Sequence, residues 1–276
     1  MSVCPICGRE ESELRQVARV AYLDGREVHF CLECFVNGTV SEGAILLLGP
    51  PTAGKTVFCK TFARIALESG RPVIYLPTDE TAEDLLKEFN EAFANTYGET
   101  KLFHQEDELR ILDCYSALMG KKAQTKYALQ NLSNLSEISI TLKAAWNGLT
   151  RSCLVVDDSA LLGQEAGEDT TLKFLRQLVA NLRGMHALGL FSATTGILGR
   201  SFENSLLSIF DGVLEMKVED GPDGLERLIR IYSLRGQKHS TKWTRFEITD
   251  EGIVVAFQGT RGQESDGKPS SLGPAF

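Results

Sequence analysis

Eight consecutive residues, Gly49-Pro50-Pro51-Thr52-Ala53-Gly54-Lys55-Thr56, have the spacing of a turn that grips phosphate. Backbone N–H groups of such a turn converge on an anion, and a helix starting there points its positive end at the same place. In that arrangement Lys55 reaches the β- and γ-phosphates of a triphosphate, while the Thr56 hydroxyl ligates Mg²⁺. A second acidic site follows the run Arg151-Ser152-Cys153-Leu154-Val155-Val156, which closes in Asp157-Asp158. Four apolar residues ended by an acid are suited to hold the same Mg²⁺ through water, and Asp157 takes that role here. Asp158 is open between metal and helix capping. A third run, Pro72-Val73-Ile74-Tyr75-Leu76, leads through Pro77-Thr78 to Asp79-Glu80. A carboxylate just past a parallel strand sits at the ligand edge of an open sheet, where Asp79 or Glu80 can orient or deprotonate water. The alternative is a purely electrostatic role at the start of the next helix.

Near the N-terminus, Cys4-Pro5-Ile6-Cys7 and Cys31-Leu32-Glu33-Cys34 form two CxxC pairs separated by 23 residues. Two such knuckles complete a tetrahedral four-sulfur site, with no position left for a catalytic water, so Cys4, Cys7, Cys31 and Cys34 are expected to hold a structural zinc ion. A redox dithiol pair, or ligation by His29 in place of one cysteine, are the alternatives. Between the pairs, Val17–Leu23, Asp24-Gly25 and Arg26–Phe30 read as a hairpin. About 34 residues bury too little apolar surface to fold unaided, which is where a metal staple is expected. Cys59, Cys114 and Cys153 stand alone in apolar segments and read as buried thiols.

The elements that must carry these groups are legible in outline. Ala44–Leu48 is a strand-sized apolar run ahead of the phosphate loop, and Val57, Phe58, Phe62, Ile65 and Ala66 mark a helix behind it that stops at Gly70. Further strands are expected at Leu109–Cys114 and Leu188–Phe191, the latter ending in Ser192-Ala193-Thr194-Thr195. Those hydroxyls could sense a γ-phosphate or simply close the strand end. Helices are expected over 134–149 and 167–186. From Gly212 the pattern turns into antiparallel strands, at 212–218, 227–234, 245–248 and 253–257. The fold class is therefore α/β, a mostly parallel sheet with helices on both faces and antiparallel strands at one edge.

Composition limits what else the chain can be. Of 276 residues, 43% are hydrophobic and 24% charged, which excludes collagen-like, mucin-like and wholly disordered classes. The formal net charge of −8 argues against sequence-independent nucleic-acid binding. Residues 1–38 hold four arginines and six carboxylates, so the cysteine module is better suited to a protein partner than to phosphate backbones. No apolar run reaches membrane-spanning length, and the opening Met-Ser-Val-Cys has no secretory pattern, so a cytoplasmic setting is expected. The domains expected are a zinc-ribbon-like module over 1–38, an α/β domain carrying the phosphate turn over 39–258 and a disordered tail over 259–276.

Taken together, residues 41–257 resemble the KaiC branch of the RecA-like P-loop ATPases. The phosphate loop, the Val155-Val156-Asp157-Asp158-Ser159-Ala160-Leu161-Leu162 stretch and the segment around Asp79-Glu80 are similar to the family's nucleotide, magnesium and paired-carboxylate motifs. Ile231–His239, followed by Phe246–Ile253, resembles the family's KxRGTxH segment and its ending. The resemblance marks 39–258 as an ATPase domain and implies ATP and Mg²⁺ as ligands, a homo-oligomer such as a ring, and Arg235 acting in trans on a neighbour's γ-phosphate. Ser233 stands where the family has lysine, and Lys238 lies five residues beyond it. The implied function is a slowly hydrolysing regulatory ATPase whose nucleotide state controls assembly or partner binding. Alternatives are a DNA-repair ATPase resembling bacterial RadA/Sms, or a nucleotide-gated scaffold that does not hydrolyse.

Overall fold

The computed structural model describes residues 17–21, 27–31, 42–97, 107–222, 224–236, 239, 241–249 and 252–255. Strands β1 (Val17–Ala21) and β2 (Glu27–Cys31) pair antiparallel, with Val17 opposite Cys31, which is the hairpin expected there. Cys31 is the last residue of β2. Cys4, Cys7 and Cys34 lie outside the described residues, as does the expected tail over 259–276.

The main body alternates strand and helix: β3 (Gly43–Gly49), α1 (Lys55–Glu68), β4 (Val73–Pro77), α2 (Ala82–Tyr97), β5 (Leu109–Asp113), α3 (Tyr115–Leu118), β6 (Tyr127–Ala128), α4 (Leu135–Trp146), β7 (Cys153–Asp157), α5 (Ser159–Ala166), α6 (Glu168–Gly184), β8 (Leu188–Thr194) and α7 (Arg200–Ile209). Four strands end the described chain: β9 (Gly212–Gly221), β10 (Gly224–Leu234), β11 (Thr244–Thr249) and β12 (Gly252–Val255). All ten belong to one sheet in the order β12-β11-β10-β9-β3-β8-β7-β4-β5-β6. Pairing is parallel from β9 through β6 and antiparallel from β9 outward to β12.

Because parallel strands need crossover helices, both faces of the central strands are covered, and every residue of β3, β4, β5 and β7 is buried. On one face, Phe58, Phe62 and Ile65 of α1 pack with Leu85 and Phe89 of α2 over Ile45, Leu47, Val73 and Tyr75. On the other, α4 to α7 supply Ile138, Leu142, Leu162, Leu175, Leu182, Phe202 and Leu206 against Ala44, Leu46, Ile74 and Val156. The lone cysteines Cys59, Cys114 and Cys153 are buried free thiols, as their apolar contexts suggested.

One expectation is corrected. The segment from Gly212 is not the first strand of an antiparallel run alone. It pairs parallel with β3, Leu47 opposite Leu214, and antiparallel with β10, so it is the joint between the two halves of the sheet. Its side chains alternate as in any strand, and only the path of the chain reverses. Helices α5 and α7 go beyond the elements expected from the sequence. No helix among the described residues is long and apolar enough to cross a membrane.

Candidate nucleotide-binding site

The chemistry-bearing residues gather at the carboxyl ends of four adjacent strands. Gly49 ends β3, Thr194 pairs with it on β8, Asp157 ends β7, and Pro77 opposite Asp157 ends β4 just before Asp79 and Glu80. The strand order places β8 between β3 and β7, so the loop after β3 and the acid after β7 flank one crevice.

The turn from Gly49 to Thr56 has the backbone its sequence demands. Thr52 has φ 65° and Gly54 φ 99°, the latter directly before the first residue of α1. The positive φ of Gly54 calls for glycine; a Cβ there would also lie 2.9 Å from Ile248 Cδ1, the end of an exposed side chain that can give way. No side chain caps α1, and no acid occupies its first turn. Its first N–H groups are thus suited to an anion, and a phosphate group fits this end of the helix. Lys55 is buried, and its Nζ donates to the Pro50 carbonyl at 2.9 Å, folding over the turn. Burial lowers its pKa, while the charges of Asp158 and Asp157 pull it upward. Arg227 of β10 reaches the Thr52 carbonyl at 3.4 Å, so the antiparallel strands back the loop from outside.

Asp157 is almost fully buried. Its carboxylate accepts from the hydroxyls of Ser192 and Tyr75, the latter at 3.3 Å, and the Thr56 hydroxyl lies near enough to lower its pKa. Burial pushes its carboxyl up to about 6, reinforced by the neighbouring charges of Asp158 and Asp79 and opposed by the Ser192 hydrogen bond and the Thr56 hydroxyl. An acidic oxygen beside the Thr56 hydroxyl at the head of α1 is a donor pair suited to a hard cation such as Mg²⁺. Since its folded-state pKa lies above the unfolded one, Asp157 favours folding at low pH, and that contribution is lost as pH rises through about 6. Asp157→Asn is therefore expected to leave the nucleotide-free protein at least as heat-stable at pH 8. It should also erase the Mg²⁺-dependent part of stabilisation by ATP, which thermal melts with and without EDTA would show.

Asp158 resolves toward capping. Its Oδ1 accepts from Ala160 N at 2.6 Å at the start of α5, and its other oxygen accepts from Thr194. Ser192 and Thr194 are thus engaged with the two acids of β7. Thr78 holds the same corner: its hydroxyl donates to the Asp157 carbonyl at 2.9 Å and accepts from Asp158 N at 2.6 Å.

Among the described residues, neither Asp79 nor Glu80 makes a capping hydrogen bond to α2. The start of α2 is served by Thr81, whose hydroxyl accepts from Asp84 N at 3.1 Å, and by the buried Asp113, which accepts from Ala82 N at 2.9 Å. The two carboxylates also differ from one another. Asp79 is exposed, and its charge acts on Lys55 and Asp157. Desolvation raises its pKa, with Lys60 and Lys55 opposing. Glu80 instead is bound by Lys60 of α1 at 2.9 Å, and Lys60 reaches Glu88 of α2 at 2.5 Å. Burial pushes Glu80 up to about 7 in spite of that lysine. Lys60 and Asp113 are the participants that motif spacing missed; nothing in their sequence context marks them.

Arg235 lies elsewhere. It follows β10, its N–H donates to the Asp211 carbonyl at 2.7 Å, and its guanidinium stands 3.5 Å from the Asp211 carboxylate. Asp211 also binds Ala44 N at the start of β3 and pairs with Arg183. Arg235 is therefore at the opposite end of β3 from Gly49, about 20 Å away along the strand.

These geometries agree with comparison to known proteins. The chain is 26% identical over 225 residues to a UPF0273 protein of Thermotoga maritima, spanning 81% of this chain and 91% of that one. It is 25% identical over 227 residues to a UPF0273 protein of Pyrococcus horikoshii, spanning 81% and 89%. The crystal structure of a KaiC-like protein, PH0186, from Pyrococcus horikoshii superposes with a TM-score of 0.55 at 25% identity, covering 78% of this chain and 89% of that one. The sequence profile described as "ATPase: KaiC" matches residues 30–260. A phosphate-gripping turn, an acid two strands away and an antiparallel extension behind the loop thus have a common source: the chain belongs to the KaiC-like ATPase family.

Proposed function

We propose that this protein binds ATP with Mg²⁺ at the Gly49–Thr56 turn and hydrolyses it slowly, the nucleotide state setting subunit assembly and the surface offered to a protein partner. The observation that carries the proposal is the convergence of Lys55, Thr56, Asp157 and Asp79 at one sheet edge. Lys55 and the N–H groups of α1 hold the β- and γ-phosphates in place. Mg²⁺, held by Thr56 and Asp157, supplies neutralisation of phosphate charge. Asp79 accepts a proton from water as its oxygen bonds to the γ-phosphorus and the bond to the ADP oxygen breaks. Full charge neutralisation calls for a cation on the far side of the γ-phosphate.

Arg235 is too far from its own loop to be that cation, which supports a role at a neighbouring copy's site in a ring or other homo-oligomer. Mixing tests this. Arg235→Ala and Asp79→Asn proteins, each inactive alone, should regain phosphate release when combined, because some interfaces then hold one intact site. Equal inactivity of the mixture would remove the shared-site reading. Phosphate release per subunit should likewise fall on dilution below the assembly concentration.

The cysteine module is proposed as a zinc-stapled protein-docking unit. Metal analysis is expected to find about one zinc per chain, lost when Cys4 and Cys7 become serine. Iron, or no metal, would overturn that assignment.

A further inference from the structure

We infer that Lys60 is a positioning residue: its ion pair with Glu80 ties the turn that carries Asp79 to the helix that carries Lys55 and Thr56. This rests on the hydrolysis proposed above and says how the water-activating carboxylate is held.

The geometry is specific. Lys60 lies four residues after Thr56, on the same face of α1 and one turn further on. Its Nζ bridges Glu80 Oε2 at 2.9 Å and Glu88 Oε2 at 2.5 Å, joining α1, the β4–α2 turn and α2 at one point. The second oxygen of Glu80 is buried with no hydrogen-bond partner among the described residues, so the tie to Lys60 is what offsets burial of this carboxylate. One residue back, Asp79 has no such tether among the described residues, yet its charge is felt by Lys55 and Asp157. An exposed short side chain beside a phosphate needs its backbone fixed, and Glu80 is the adjacent anchor. Thr78 anchors the other flank through Asp157 and Asp158.

The tie depends on ionisation of Glu80. The charges that face it are Lys60 from α1, Glu88 from α2 and Asp79 beside it, while its own charge acts on Tyr75 of β4. Burial raises the Glu80 carboxyl, Lys60 lowers it, and Glu88 and Asp79 raise it further. Below about pH 7 the carboxyl is protonated and the ion pair is lost; above it the clamp is complete.

The test is the pH dependence of kcat for ATP in the full-length protein. Wild type should show an acidic limb near pH 7. Lys60→Met and Glu80→Gln should each lower the upper plateau by about tenfold, abolish that limb and leave KM within about twofold. The double variant should be no slower than either single one, since both break the same tie. Lys60→Arg should restore the plateau and the limb. Glu88→Gln should move the limb to lower pH, because a negative neighbour of Glu80 is gone. Thermal melts of each variant separate folding loss from kinetic change. A wild-type limb and plateau that persist in Lys60→Met and Glu80→Gln would reduce the pair to a structural contact and overturn this inference alone. Absence of phosphate release by the wild type would remove the ATPase reading and this inference with it.

Discussion

Lys55→Ala should weaken ATP binding by about 10²–10³-fold, measured by calorimetry or by displacement of a fluorescent nucleotide. The size follows from the position of the side chain. Lys55 is buried at the head of α1, so its ammonium has few competing waters, and burial has already lowered its pKa. Its Nζ donates to the Pro50 carbonyl at 2.9 Å, a neutral acceptor that a phosphate oxygen readily replaces. Removing the lysine leaves the N–H groups of the turn in place, so weak binding persists, but the charged contact is gone. The melting temperature without nucleotide should change little, because among the described residues this lysine makes no direct ion pair and meets Asp157 and Asp158 only through charge. Unchanged ATP affinity would contradict the assignment of the loop.

Asp79→Asn is expected to lower kcat by about 10²–10⁴-fold with ATP affinity preserved. Asp79 stands at the edge of the crevice and interacts with Lys55 and Asp157 through charge, whereas neighbouring Glu80 is committed to Lys60. Asparagine matches its shape but takes no proton. Glu80→Gln, by contrast, should slow turnover by only about tenfold, the loss expected of a misplaced partner. The ratio between the two variants is the discriminating quantity, read from single-turnover phosphate release at saturating ATP. If Glu80→Gln were the more damaging, the two carboxylates would have to exchange roles.

Part of this was legible in the sequence, for a physical reason. A phosphate loop is contiguous: glycine, lysine and threonine must follow one another because the turn and the helix start follow one another. The same holds for Asp157, which caps an apolar strand, and for the placement of Asp79 and Glu80 after β4. What the chain order hides are contacts across the sheet. Ser192 meets Asp157 and Thr194 meets Asp158 because β8 lies beside β7, at a separation of 35 or 36 residues. Lys60 looks like any exposed helix lysine until α2 brings Glu88 beside it. Strand β9 carried the right alternation, but a strand's own residues do not say whether its neighbour runs with it or against it. Helix α7 has Phe202, Leu206 and Ile209 at helical spacing, yet it spans only ten residues among serines, too short to stand out.

The antiparallel edge has a mechanical consequence. Strand β10 touches Thr52 of its own phosphate turn through Arg227 and leads into Arg235, about 25 Å further along the chain. If Arg235 serves an adjoining copy, one continuous rod has its two ends at two different nucleotides. Pairing with β9 runs the length of β10, pairing with β11 covers only Arg227 to Ile229, and the register shifts between Ile231 and Ser233. A push at one end therefore reaches the other through a strand that has one built-in irregularity. Neighbouring ATP molecules would then be read through a single strand, with the irregularity between Ile231 and Ser233 as the point where that signal can be absorbed.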